Sequence, residues 1–455
     1  MKVEKLALKL SMLLVIGLFI GGGIGCSDGS SGGGSDSESG SANNSYLFYS
    51  QKWNYADDAF GVALPARLEL KRSIFAGDTL GSPFAEDAVA FCTAGVWGED
   101  DTVVYYVDGE YALWSYSADG TKTLVKEAVS GATGAFVSYD NEGKCLFALY
   151  DSDNAADKKI FVKDTVSGKS FTVVYGGYVM LSGDITAITG SKKDSSFFIA
   201  SGRGSNMSIC SLGFYSNFSA MFDSGLEFND EITSGEVLSL GSEAPFTTTL
   251  KKDPIQYKIT DMTVIGGKLY ALFASCFESQ SGGYASDSEV TYGHYSSGGG
   301  VLRINCSGEL SVDTTFGTGG VAGYSNKLNK RSSSGGAYIG WLIYEGEENN
   351  PSYWSKEDIN SNLEFNNPQK IVAIKPDELV IAENGIAWTS DDMHSFYNLA
   401  RAVTMDLNGK IKSVTAVHGK SFSYGGIDRE PSYEDEPDCN VDGLAVASHW
   451  SACFE

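Results

Sequence analysis

One unit recurs along this chain, and its recurrence restricts the fold more than any other feature. "ITDMTVIGGKLYALFAS" (259–275) followed by "GGVLRINCSGELSVDTTFG" (299–317) reads as two alternating apolar–polar segments about a tight glycine turn. A loop comes next, then a second pair of segments about "CSGE". The same order returns in "IKPDELVIAENGIAWTSDD" (374–392) and "RAVTMDLNGKIKSVTAV" (401–417), with "LNGK" as the turn. Earlier copies occupy 87–128, with "ADGT", 134–177, with "VSGK", and, more loosely, 184–214. Glycine accepts the positive φ of hairpin turns without steric cost, and period-2 alternation is the signal of strands. Four up-and-down strands per unit make the blade of a β-propeller, so an all-β propeller is expected. Five copies are internal. A further composite blade is expected from "NSYLFYSQKW" (44–53) and "ARLELKRSIFAG" (66–77) together with "NVDGLAVASHWSACFE" (440–455). That gives six four-stranded blades, with seven as the alternative, in a ring closed by both termini. A pair of β-sandwiches is the competing architecture.

Ahead of the repeats the chain changes character twice. Lys2, Lys5 and Lys9 precede an uncharged apolar stretch from Leu10 to Ile24, too short to span a bilayer, which takes about 20 residues in a helix. Charged start, short apolar body and small residues before a break mark residues 1–25 as a secretory signal. The break, "GIGC", resembles the lipobox of bacterial lipoproteins, with Gly23 where that family usually has Leu. The resemblance implies that Cys26 becomes the first mature residue and carries acyl chains; an ordinary signal peptide with Cys26 incidental is the alternative. Residues 26–44, nearly all Gly, Ser, Asp, Glu and Asn after the cysteine, are expected to be a flexible tether reaching about 20–25 Å. Residues 45–455 form the head. Ser27 after the cysteine favours the outer membrane over the inner one.

Charge limits the partners. The 58 acidic residues outnumber 33 basic ones for a net −25, which repels nucleic-acid backbones and anionic lipid alike, so membrane attachment is left to the anchor on Cys26. The eight cysteines include no C-x-x-C pair, which leaves out a zinc ribbon or thioredoxin motif. Several lie inside apolar segments as small hydrophobes, while Cys276–Cys306 and Cys439–Cys453 are candidate disulfides.

"LRINCSGELSVDTTFGTGGV" (302–321) is similar to the repeat of delta-60-type β-propellers, with Asp313, Phe316, Gly317, Gly320 and Val321 as its closing block. "NPQKIVAIKPDELVIAENGIAW" (367–388) resembles repeat units of spirochaetal, treponeme-like lipoproteins. The resemblance implies a propeller fold and an envelope location, and no agreed activity.

Chemistry is sparse by comparison. His294, His394, His418 and His449 show no ligand spacing, "GTGGVAG" (317–323) lies between strands rather than before a helix, and no nucleophile elbow occurs. Two acidic clusters are candidates for a divalent cation: Asp151, Asp153 and Asp157 in one loop, and Glu434, Glu436 and Asp438 in another. No other cofactor is expected. Tyr338, Trp341, Tyr353 and Trp354 form an aromatic insertion suited to a glycan or protein contact. The expected function is a lipid-anchored binding or scaffolding module of the cell envelope, whose partner is an envelope or host protein or a glycan. An envelope enzyme of glycosidase or lactonase type, with its site at the axial channel, is the alternative.

Overall fold

The computed structural model describes residues 46–53, 67–74, 83–95, 103–176, 181–246, 256–276, 299–324, 338–343, 365–383, 386–388, 395–398, 401–416, 421–423 and 446–451, with short gaps inside some of these spans. Five antiparallel meanders follow one another in the sequence. Blade 1 consists of β1 (Ala90–Ala94), β2 (Val103–Val107), β3 (Leu113–Ser117) and β4 (Lys122–Lys126). Blade 2 holds β5 (Gly134–Asp140), β6 (Cys145–Asp151), β7 (Lys159–Asp164) and β8 (Ser170–Val174). Blade 3 holds β9 (Ile185–Ser191), β10 (Ser196–Ser201), β11 (Ser208–Phe214) and β12 (Ile232–Leu238). Blade 4 holds β13 (Gln256–Ile265), β14 (Lys268–Cys276), β15 (Gly299–Asn305) and β16 (Ser311–Val312). Blade 5 holds β17 (Pro368–Lys375), β18 (Glu378–Glu383), β19 (Arg401–Asp406) and β20 (Ile411–Ala416).

The first strand of each blade lies beside the first strand of the next, β1 by β5, β5 by β9, β9 by β13 and β13 by β17. These five strands are innermost, and the blades radiate from them as in a β-propeller, not as two facing sandwich sheets. The internal copies read from the sequence correspond to these five blades. Among the described residues the expected total of six or seven is corrected to five four-strand blades. The strands near the chain ends pair in a sheet of their own, ordered Pro83–Ala85, Arg67–Ile74, Tyr46–Trp53, Val446–Ser451. Its outermost strand is only three residues long and pairs at Leu70 and Lys71 alone, short of a full blade edge.

Blade stacking explains the sequence pattern. A strand between two neighbouring blades is buried on both faces, so it reads as a continuous apolar run and alternation only chooses which neighbour a side chain meets. In β6, Leu146, Ala148 and Tyr150 join the layer shared with blade 1, while Cys145, Phe147 and Leu149 join the layer shared with blade 3. Similar layers join blades 3 and 4 around Phe273 and Ile259, and blades 4 and 5 around Phe316, Tyr270 and Met405. Each fully buried Leu or Phe contributes about 1.5–3 kcal/mol, so the layers supply most of the cohesion. Helix α1 (Phe218–Ser224), capped by Asn217, inserts Phe218 and Phe222 against Phe171 of blade 2, and Glu227–Phe228 then pairs with β8. Blade 3 thereby covers the open edge of blade 2, the usual protection for an exposed strand.

The third and fourth strands of four blades meet at turns whose glycine has positive φ: Gly120, Gly168, Gly308 and Gly409, at 90°, 73°, 88° and 88°. In two of them an aspartate fixes the loop, Asp164 accepting from Val166 N–H and Asp406 from Asn408 and Lys410 N–H. The cysteine expectation needs one correction. Cys306 is a free thiol whose Sγ donates to the Ile304 carbonyl at 3.6 Å, so no bridge joins it to Cys276.

Candidate functional site

The five innermost strands run in parallel down the ring axis, so their residues divide into three levels. At their starts is an open depression of about 880 Å³, lined by residues of all five blades. Val89 and Phe136 form an apolar side; Asp184, Thr186, Arg203, Asn206, Lys258, Thr260 and Gln369 supply the polar groups. Three of these polar residues occupy a special backbone position. The ladder of β9 skips Thr186, that of β13 skips Thr260, and that of β17 skips Gln369. Three consecutive inner strands thus carry a β-bulge at the same level, each at a polar residue. Bulges re-aim side chains and concentrate beside functional sites. Thr260 Oγ1 donates to the Pro368 carbonyl at 2.9 Å, tying blade 4 to blade 5. Thr186 Oγ1 is buried and has no hydrogen-bond partner among the described residues.

Below the mouth the channel narrows to a cavity of about 20 Å³ lined by Cys92, Ser138, Tyr139, Asp261, Thr263 and Lys370, among others. That is room for a single water. Asp261 Oδ2 accepts from Ile371 N–H at 3.0 Å. Burial pushes its carboxyl up, opposed by the Lys370 ammonium and by two backbone N–H groups. Lys370 donates to the Phe91 carbonyl at 3.3 Å and stands 4.9 Å from the centre of the Phe91 ring. Burial also pushes the Cys92 thiol up, leaving it protonated and unreactive. The waist is a packed polar plug rather than a passage.

The far end is sealed by one turn of blade 2. Gly95 N–H of blade 1 donates to Asn141 Oδ1 at 3.1 Å, and Asn141 Nδ2 donates to the Ala373 carbonyl of blade 5 at 2.7 Å. Lys192 N–H of blade 3 donates to Asp140 Oδ2 at 2.9 Å, and Gly266 N–H of blade 4 donates to Glu142 Oε2 at 2.9 Å. Three consecutive residues therefore bind all four other blades. Asp140 is buried, and burial raises its carboxyl pKa against the opposing N–H groups of Gly143 and Lys192. The axial site is a blind funnel open at the mouth.

Two of the three aspartates in the acidic loop of blade 2 are engaged within the loop. Asp151 pairs with Lys158 at 3.0 Å, Asp157 Oδ2 accepts from Asn154 Nδ2 at 3.0 Å, and Asp153 is exposed. Among the described residues no three Asp, Glu, His or Cys side chains converge as a metal site. Cys26, the second acidic cluster (Glu434, Glu436, Asp438) and the side chains of the aromatic insertion (Tyr338, Trp341, Tyr353, Trp354) lie outside the described residues. The mouth and waist groups escape a sequence reading because they come from separate blades. The one local signal is a hydroxyl or amide near the start of each bulged inner strand.

No protein-family model matches the chain, and no curated protein sequence matches it. Solved structures are similar at low TM-scores. An engineered GH43 glycoside hydrolase with endo-xylanase and exo-arabinofuranosidase activity aligns over 76% of this chain and 56% of its own, at 9% identity and TM-score 0.32. A prolyl endopeptidase aligns over 82% of this chain and 42% of its own, at 12% identity and TM-score 0.32. The β-propeller domain of the Trilobed protease from Pyrococcus furiosus, described as having an open velcro topology, aligns over 76% and 98%, at 7% identity and TM-score 0.27. The chain thus spans about half the length of the two enzymes. Scores this low carry no argument about activity.

Proposed function

We propose that this protein is a lipid-anchored β-propeller of the cell envelope that binds a ligand in the open mouth of its axial funnel. The observation that carries the reading is the row of three bulges at Thr186, Thr260 and Gln369, which turns polar side chains of three blades onto one 880 Å³ depression. Its lining mixes hydroxyl, amide, one carboxylate and two cations beside an apolar side, the composition of a recognition site. The anchor is argued from the Cys26 seam and the tether that follows it.

The same reading includes closure of the ring by the two chain ends. In support, Val446–Ser451 pairs with Tyr46–Trp53 and runs alongside β17, β18 and β1. The face of blade 1 turned away from blade 2 is also buried, with Phe91 6% and Val104 1% exposed. A rigid ring holds the mouth at fixed width.

The test is a thermal-shift panel of soluble envelope glycans and short peptides on the full-length protein and on an Asn206→Trp variant, which places an indole at the mouth. A ligand that stabilises the first protein and not the second is the expected result. Ligands that stabilise both equally place binding elsewhere, and turnover of a stabilising ligand overturns the binder in favour of an enzyme. For the anchor, Cys26→Ala is expected to move the protein from the membrane to the soluble fraction; unchanged partitioning with retained acyl labelling overturns it.

A further inference from the structure

Two groups at the mouth have unused capacity. Lys258, half-buried on β13, has no ion-pair partner among the described residues, although the molecule carries a net charge of −25 and offers carboxylates widely. Thr186 Oγ1, on the adjacent inner strand β9, is buried without a hydrogen-bond partner among the same residues. A buried hydroxyl left unpaired is destabilising, and such groups in native proteins call for an explanation. Arg203 lines the same depression from the β10–β11 connection, so two cations face one carboxylate, Asp184. This is a local reversal of sign on an acidic molecule. Val89, 43% exposed, and Phe136 supply an apolar surface across from them.

We infer that the mouth binds a small carboxylate: Lys258 pairs with the carboxylate, Thr186 Oγ1 hydrogen-bonds the ligand, and the body of the ligand lies on Val89 and Phe136. The inference rests on the mouth being a binding site, and it adds the ligand class. A charge-assisted hydrogen bond is roughly twice as strong as a neutral one, so the ammonium dominates the preference. The acidic exterior repels anions at long range, which salt screens, so affinity for the carboxylate is expected to rise from low to moderate ionic strength before falling.

The carboxylate can come from two chemical sources, a uronic acid and an amino-acid or peptide terminus, and the experiment separates them. Full-length protein is titrated calorimetrically with D-glucuronate against D-glucose, and with N-acetyl-L-alanine against its amide. At least one acid is expected to bind ten-fold or more tightly than its neutral counterpart. Lys258→Gln is expected to abolish that preference, Lys258→Arg to keep most of it, and Thr186→Val to weaken binding several-fold without lowering the melting temperature. Which acid responds identifies the source. Failure of both acids to bind overturns the inference, as does a preference that survives Lys258→Gln. If a neutral counterpart binds as well as its acid and Asn206→Trp removes it, the carboxylate falls while the binding site stands.

Discussion

At the scale of residues, the block that closes blade 4 shows how each side chain is fixed by its neighbours. Asp313 accepts from Thr315 N–H and Oγ1 and pairs with Arg303 at 2.9 Å. Arg303 in turn lies 5.0 Å from the centre of the Phe316 ring, which packs edge-on against Tyr270. Gly317 has φ 55°, and a Cβ there would stand 2.2 Å from the Val321 carbonyl oxygen. Gly317→Ala is therefore expected to cost more than the ~1–3 kcal/mol of backbone strain alone. Gly308→Ala, with φ 88° and open space around it, should cost only that strain. Urea unfolding of the two variants checks the order, and equal losses would sink the steric account. Asp313 also makes a pH prediction. The Thr315 hydrogen bonds and the Arg303 guanidinium hold its carboxyl below the usual value. Its contribution is full above the unfolded pKa of about 3.9 and disappears as pH falls through the lower folded value. Asp313→Asn should lose stability at pH 6 and show a shallower decline below pH 4, read from unfolding midpoints across that range.

At the scale of elements, the β5–β6 turn of blade 2 is the piece on which the sealed end depends. Asn141→Ala removes both of its hydrogen bonds and strands the Gly95 N–H and the Ala373 carbonyl. With a penalty of about 1–3 kcal/mol for each of the two groups left unpaired, a loss of about 2–6 kcal/mol is expected. Faster amide exchange at Gly95 is the specific readout; unchanged exchange there would show that the link is dispensable. The blades themselves were legible in the sequence because their information is local. Gly168, Gly308 and Gly409 mark hairpins, and runs such as "CLFALY" mark strands buried on both faces. The β5–β6 turn and the mouth were not legible, because Asn141 meets residues 46 and 232 positions away and Thr186 meets its neighbours only once the ring curves. Even the bulges leave no mark beyond a Thr or Gln, since a one-residue skip looks the same as continued alternation.

At the scale of the whole molecule, the ends of the chain should matter out of proportion to their length. Deleting 440–455 removes the partner of Tyr46–Trp53 and leaves that strand as a sheet edge, an aggregation hazard. Domain stability is only about 5–15 kcal/mol, so insolubility or a large fall in melting temperature is expected. Deleting Gly29–Gly40 should leave the melting temperature unchanged. If the C-terminal deletion melts like the intact protein, closure by the chain ends is wrong. The blade count shows where local information ran out. Five contiguous repeats could be read directly, whereas the composite unit depended on segments from opposite ends, with no shared hairpin to align them.

The turn that seals the funnel also sets an order of events during synthesis. Asn141 emerges from the ribosome long before Ala373, 232 residues downstream, and before Gly266, 124 residues beyond Glu142. At about 5–20 residues per second, blade 2 waits ten seconds or more for its last partner. During that interval the turn can bind blades 1, 3 and then 4, but not blade 5, so the nascent chain is an open arc with an exposed, growing face. The bonds at Asp140, Asn141 and Glu142 are thus a completion signal: all four partners are present only when the fifth blade has arrived.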